Sequence, residues 1–339
     1  MEEVRLGRTN LVVKKLGWGS IPIRRVSDEQ AVAVVQAVLE MGVNLLDMAR
    51  AYTHSERRIG LALQKVPKPV ILSSKSNERT NKIYEQVQES LKQLQVKKIN
   101  IYHLHNLSKM EDYEKALAPG GAYEGLLRAK AEGLIDHIGI TSHNLDVLER
   151  AMKDDHFDVM MACYSFLEPD AGKRVFPLAK KNDVGILSMK PLSGGVIEKA
   201  GPALRFVLQT PDIVVIPGSE KVELAKENWR IFVEGGGPTK EDQVYIQQLQ
   251  REMEKQFCRR CDYCQPCSEK INIQMVLGLK SIIKRVGSNE DEMKRINRIL
   301  EMARNCSECG DCMTRCPYQL PIPELIKKNL AWYEAQCKN

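Results

Sequence analysis

Ten cysteines stand in the 339-residue chain, and eight of them fall after residue 257 in two tight groups. The first group, "CRRCDYCQPC", places Cys258, Cys261, Cys264 and Cys267 three residues apart. The second, "CSECGDCMTRCP", holds Cys306, Cys309, Cys312 and Cys316, followed by Pro317. Thiols at that spacing on a tight loop converge on a common centre, and in a reducing compartment they act as metal ligands rather than disulfide partners. The second group is a C-x2-C-x2-C-x3-C-P run, in which three cysteines take corners of one 4Fe–4S cubane and the fourth reaches a neighbouring one. The first group offers the reciprocal set, although its last gap is shorter. We therefore expect Cys258, Cys261, Cys264 and Cys316 to hold one cluster, and Cys306, Cys309, Cys312 and Cys267 the other. Structural zinc is the competing reading, but zinc favours two well-separated C-x2-C pairs, and neither group is built so. Cys163 and Cys337 stand alone; Cys163 lies in an apolar stretch and reads as a small core side chain.

A second set of residues has the makings of a proton-delivery device. Asp47 closes "VNLLD", Tyr52 follows in "DMARAY", Lys75 closes "VILSSK" and His105 closes "INIYHLH". A tyrosine with a pKa near 10 neither gives nor takes a proton readily at pH 7 unless a cation lowers it. Lys75 would do that, Asp47 would hold Lys75, and His105 would polarise or orient a substrate carbonyl. Taken singly, each has a bland alternative: a rim ion pair, a packing tyrosine, a satisfied loop histidine. Together, at three consecutive strand ends, they form a candidate catalytic group. His103, two residues before His105, is expected to point to the other side of its strand and to be structural.

These residues need elements to carry them. The first ~235 residues alternate short β-branched runs with amphipathic stretches. "VNLLD", "VILSSK", "INIYHLH", "HIGITS", "FDVMMACY", "VGILSMK" and "IVVIPGS" predict strands, with "KKLGWGSI" as the opening one. "SDEQAVAVVQAVLEMG" reads as a helix with a Ser/Asp start and a Gly stop. Eight such strand–helix units predict an α/β fold, a closed (β/α)8 TIM barrel whose active face lies where the strands end. "RLGRTNLVV" predicts a hairpin sealing the bottom. Near "EGGGPTKED" a Gly run and a Pro mark a linker. Residues 1–237 are thus expected to form the barrel, 238–257 a connecting helix or linker, and 258–339 a small α-helical iron–sulfur domain. Residues 268–305 read as two amphipathic helices broken at "VGSNED". The net charge of +6 is spread thinly, which argues against a nucleic-acid partner. The N-terminus is charged from its second residue, and no run nears the ~20 apolar residues of a membrane span, so no membrane association and a cytoplasmic location are expected.

From residue 4 to about 230 the chain resembles the aldo-keto reductases. The likeness lies in "RLGRTNLVVKKLGWGS", "GVNLLDMARAY", "VILSSKS", "INIYHLHN", "GLIDHIGITSHN", "GILSMKPLSGG" and "VIPGSEKVELAKENW". It implies Asp47, Tyr52, Lys75 and His105 as a catalytic tetrad, with Tyr52 the general acid in carbonyl reduction. It also implies an NAD(P)(H) cofactor, with nicotinamide contacts from Ser142 and Asn144 and adenine-side contacts from Ser219, Glu227 and Asn228. Met189 and Lys190 stand where such reductases carry a stacking Tyr; Gly218 and Leu224 replace a Lys and an Arg, leaving Lys221 as the cation for a 2′-phosphate. The ending is similar to the subgroup whose C-terminal segment carries ferredoxin-type cysteines.

Hydride carriers move two electrons together, whereas cubanes move one at a time. A flavin, or a substrate able to pass through a radical, would have to join them. Three readings follow. The enzyme interconverts a small-molecule carbonyl and alcohol while its clusters exchange electrons with a ferredoxin or flavoprotein partner. Alternatively it is an ordinary NAD(P)H-dependent carbonyl reductase with structural clusters. Or it is an electron-transfer subunit that uses the barrel as a docking platform.

Overall fold

The computed structural model describes residues 1–66, 69–286 and 290–337 and divides into two compact units, Met1–Gln243 and Val244–Asn339. The first unit opens with an antiparallel hairpin, β1 (Glu3–Arg5) and β2 (Val12–Lys14). Eight parallel strands follow: β3 (Trp18–Gly19), β4 (Leu45–Asp47), β5 (Ile71–Ser76), β6 (Ile99–Leu104), β7 (Ile135–Ser142), β8 (Val159–Cys163), β9 (Gly185–Met189) and β10 (Val214–Ile216). They pair in sequence order, and parallel bridges from Leu16 to Val215 and from Gly19 to Gly218 bring the last strand back to the first. This is a (β/α)8 barrel.

The helices form for local reasons and dock for apolar ones. In Asp28–Glu40, Ser27 and Gln30 cap each other reciprocally, and Gly42 with φ 85° turns the chain just past the end. Its Val32, Val34, Val35, Val38 and Leu39 are buried on the outer core between strands and helices. Each such side chain contributes about 1.5–3 kcal/mol by leaving water. A second, smaller core fills the lower barrel with Leu45, Ile101, Val159, Met161, Leu187, Val214 and Ile216. Val4, Leu6 and Val13 of the hairpin close it from below. Gly185 allows that closure, since a Cβ there would lie 2.6 Å from the Leu6 side chain.

Side chains two residues apart share a face of a strand. Inside the barrel Leu45 is therefore followed upward by Asp47, Ile71 by Ser73 and Lys75, and Ile101 by His103 and His105. The apolar layer below gives way to a polar layer and then to the active face. This corrects the expectation for His103. It points inward with His105, and its Nε2 lies 3.0 Å from the Oγ of Ser73.

The second unit is helical after its cysteine loops. Ile273–Leu277, Leu279–Val286, Glu290–Ala303, Asp311–Thr314 and Ile322–Cys337 are its helices downstream of the first cysteine group. The stretch expected as one helix before "VGSNED" is two, parted at Gly278, whose residue caps the first. The break expected at 286–291 falls partly on residues outside those described. A compact core joins Cys264, Ile271, Ile273, Val276, Ala303, Leu320, Ile322, Leu325 and Ile326, and partly buried cysteines of both groups pack against it. Among the described residues, no helix is long and apolar enough to cross a membrane.

Candidate active site and cluster cavities

Asp47 is the last residue of β4 and Lys75 the last but one of β5. Lys75 Nζ donates to Asp47 Oδ2 at 2.6 Å and to the Met48 carbonyl at 2.7 Å, and both side chains are almost wholly buried. Burial works against both charges. It outweighs the pull of Lys75 and Ser73 on Asp47, whose carboxyl lies above its ordinary value. For Lys75 the opposite holds: Asp47 and Tyr52 overcome desolvation and hold the ammonium above its ordinary value. The Lys75–Asp47 contact favours the charged form of both partners, and burial opposes both.

Tyr52 lies on the loop after β4, half-buried at the mouth. Its N–H donates to the Ala49 carbonyl at 3.0 Å. The loop is pinned from outside the barrel. Buried Glu56 accepts from Ser74 Oγ at 2.7 Å and pairs with Arg50 at 2.6 Å, while Arg50 N–H donates to the Lys75 carbonyl at 3.0 Å. Lys75 Nζ sits 5.1 Å from the Tyr52 ring centroid. The Tyr52 and His105 rings meet edge to face, with centroids 5.8 Å apart. Burial, then the cations Lys75 and Arg79, keep His105 well below its ordinary value, so it is a neutral imidazole with one N–H to offer. Arg79 fixes this strand end by donating to the carbonyls of His105 and Asn106 at 2.9 and 3.0 Å. The four expected residues thus meet at one mouth. The residues beneath them, Ser73 and His103, were not among the expected site residues; for His103 the signal was the two-residue step below His105.

The residues expected along a nicotinamide dinucleotide sit at the ends of β7, β9 and β10. Ser142 Oγ donates to the Leu107 carbonyl at 2.6 Å and accepts from Asn144 N–H at 2.9 Å. Asn144 Nδ2 donates to the Ser108 carbonyl at 3.1 Å, and its Oδ1 caps the helix Leu145–Asp154 by accepting from Asp146 N–H at 2.9 Å. Both side chains therefore have structural bonds as well. Met189 ends β9, and its carbonyl accepts from Tyr164 N–H at 3.1 Å. Lys190 follows with φ 58° and donates to His143 Nε2. Ser219 is buried, and its Oγ accepts from Trp18 Nε1 at 2.9 Å. Lys221 is exposed at the start of the helix Val222–Glu234, on which Asn228 is buried and Glu227 half-buried. Between Ser219 and Lys221, Glu220 pairs with Arg25 at 2.9 Å, an ion pair with no sequence signal.

In the helical unit the cysteines ring two cavities. Cys258, Cys261, Cys264 and Cys316 line one, with Arg259 and Tyr318. Cys267, Cys306, Cys309 and Cys312 line the other, with Arg315. One zinc would draw four sulfurs to about 3.8 Å of each other. Among the described residues no three Cys, His, Asp or Glu side chains converge on a single-ion point. Rings of four thiols around open space suit a polynuclear cluster instead. Burial, then the charge of neighbouring groups, pushes the Cys264 thiol up to about 12, and burial takes Cys261 to about 11. Thiolates form there when a bound metal replaces the proton. Arg315 ties the loops together, donating to the carbonyls of Cys264 and Pro266 at 3.0 and 2.7 Å.

The pattern described as "Aldo/keto reductase family" matches residues 14–202, more than half of the chain. The chain belongs to the aldo/keto reductase family. It is an oxidoreductase, and residues 257–321 match the pattern described as "4Fe-4S dicluster domain". Among characterised relatives it is similar to D-threo-aldose 1-dehydrogenase of a Pseudomonas species, with 27% identity over 57% of this chain and 70% of the relative. L-galactose dehydrogenase of Arabidopsis thaliana is 26% identical over 58% of this chain and 67% of its own. The same fold occurs in an aldo-keto reductase from Bacillus halodurans, with a TM-score of 0.63 at 24% identity over 74% of this chain and 96% of that one. An aldo-keto reductase from Klebsiella pneumoniae, solved in complex with NADPH, gives a TM-score of 0.61 at 19% identity over 73% and 94%.

Proposed function

We propose that the barrel interconverts a small carbonyl compound and its alcohol, with Tyr52 as the acid/base group, and that the helical unit carries two clusters for single-electron exchange. The observation that carries the first part is the buried Lys75–Asp47 pair, 2.6 Å long, set beneath a half-exposed tyrosine. A cation held in place by its own counter-ion favours the tyrosinate, which brings the phenol into range for proton transfer near neutral pH. In reduction the Tyr52 hydroxyl gives its proton to the carbonyl oxygen, and neutral His105 donates its N–H to the same oxygen and orients it. In oxidation Tyr52 takes the alcohol proton back. A bound nicotinamide dinucleotide would supply the hydride, and Ser142, Asn144, Met189, Lys190, Ser219, Lys221, Glu227 and Asn228 are the residues that would hold it. Relatives named as dehydrogenases of an aldose and of L-galactose support this reaction class.

In the helical unit, Cys258, Cys261, Cys264 and Cys316 would hold one 4Fe–4S cluster and Cys267, Cys306, Cys309 and Cys312 the other. Bound there, the clusters would supply one-electron storage, for which a ferredoxin or flavoprotein would be the partner. Partly buried cysteines in the small core also make the clusters part of that unit's packing.

Tyr52→Phe tests the barrel reading: carbonyl turnover should fall roughly 10²- to 10⁴-fold with cluster content unchanged. Full turnover in a folded Tyr52→Phe protein would refute it. Anaerobic titration with NADH or NADPH, followed by EPR, tests whether the clusters take electrons from the barrel's reaction.

A further inference from the structure

We infer that Ser73 and His103 form a buried relay beneath the tetrad, as positioning residues that hold Asp47 in its charged form. The inference rests on the acid/base role proposed for Tyr52. Ser73 Oγ lies 2.9 Å from Asp47 Oδ1 and 3.0 Å from His103 Nε2. All three side chains are buried. A carboxylate has no proton and a serine has one, so the proton assignment is forced. Ser73 donates to Asp47, and His103 Nε2–H donates to Ser73.

The other ring nitrogen agrees with this. His103 Nδ1 has no partner among the described residues, as a bare acceptor on a neutral imidazole would be. It rests against β7 at Gly139, where a Cβ would lie 2.1 Å away. The titratable groups that face the ring are Asp47 on β4 through Ser73, Lys75 on β5, and the neutral His105 on its own strand. Burial, then Lys75, keeps His103 neutral, so it acts as a fixed dipole. Filling space alone would call for an apolar residue, as Ile101 fills the layer below.

The relay serves the site through Asp47. Burial disfavours that carboxylate, and each hydrogen bond to its charged form offsets part of the penalty. A hydroxyl that itself accepts from an imidazole N–H is a stronger donor. A more secure Asp47 carboxylate holds the Lys75 cation, and the cation favours the Tyr52 phenolate.

The test uses the full-length holoprotein, prepared without oxygen and labelled with ¹³C-tyrosine and ¹⁵N-histidine. Tyr52 is assigned by its loss in Tyr52→Phe. His103 should show the Nε2-protonated neutral tautomer without titrating from about pH 5.5 to 9. Ser73→Ala and His103→Leu should each raise the Tyr52 midpoint by about half a pH unit or more. His103→Gln, whose amide N–H reaches the Nε2 position, should restore it. If Ser73→Ala does not fold, Ser73→Cys, a weak donor of similar size, should give an intermediate rise. The relay is overturned by an Nδ1-protonated or charged His103, by unmoved midpoints in folded variants, or by Gln behaving as Leu does. Should Tyr52→Phe keep full turnover, the proposed function falls instead, and the midpoints still decide the relay.

Discussion

Gly139→Ala is a single-methyl probe of the polar layer beneath the active face. The new Cβ would lie 2.1 Å from His103 Nδ1, 2.6 Å from Cε1 and 2.9 Å from Cγ. Reaching ordinary contact at Nδ1 requires the ring to move by about 1.3 Å. Moving toward Ser73 closes the 3.0 Å hydrogen bond into a clash, and rotating away breaks it. Overpacking of this kind costs about 1–3 kcal/mol, and orphaning a buried donor adds about 1–3 kcal/mol. We expect a loss of about 2–6 kcal/mol. The assay is urea denaturation followed by tryptophan fluorescence, with Trp18 buried at the start of β3 as a barrel reporter. The decisive control is a double-mutant cycle with His103→Ala, which removes the ring. In that background Gly139→Ala should cost less than about 1 kcal/mol, since the two residues couple only through contact. Equal costs in both backgrounds would show that the methyl meets something other than His103, and would refute the reasoning.

Asp47→Asn leaves Lys75 buried without its anion and should destabilise the barrel by about 3–5 kcal/mol, measured by the same denaturation; a loss below about 1 kcal/mol would mean that the pair adds little. At Asp158, burial opposes the charge, but His137, Lys130 and the Ile138 N–H outweigh it and lower the carboxyl from 3.8 to about 2. That contribution is present above the unfolded value of about 3.9 and is lost as pH falls through about 2. Asp158→Asn should therefore be less stable than the parent at pH 6, with the gap closing between about pH 4 and 2; a gap constant with pH would contradict the assignment. Cys316→Ser should disturb the same EPR signal as Cys258→Ser, and Cys267→Ser the same signal as Cys309→Ser, because those pairs line common cavities. Pairing by sequence group instead would overturn the ligand sets. Removing iron with a chelator should unfold the helical unit, seen as faster proteolysis after residue 244, while the barrel stays resistant; an equally protected tail would show that its core stands without metal.

Much of the barrel was open to reading from the chain alone. β-branched runs alternating with capped amphipathic stretches have a period set by local stereochemistry, and eight of them in this length leave few architectures. Asp47, Lys75 and His105 could be found because each closes a strand, where such barrels place their chemistry. Ser73 carried no signal, because a serine in "VILSSK" looks like any small polar residue until its partners are known. His103 was misassigned because a step of two along a strand returns to the same face. The split at Gly278 was missed because apolar spacing continues across it, and only the cap shows the helix ending.

Cysteine spacing alone determined that thiols would crowd together in two loops, since residues three apart on a tight turn have nowhere else to go. The spacing also led us to expect that each group lends its fourth thiol to the other, but only the folded tail brings those distant thiols side by side. Cys316 lies beside Cys258, Cys261 and Cys264, and Cys267 beside Cys306, Cys309 and Cys312, because packing of the intervening helices sets that crossing. The same holds inside the barrel. Local sequence supplied an acid, an amine, a phenol and an imidazole, but only strand register placed Ser73 between Asp47 and His103 and set Gly139 against the ring. A contact between neighbouring strands depends on how they align, and that alignment comes from the closed sheet as a whole.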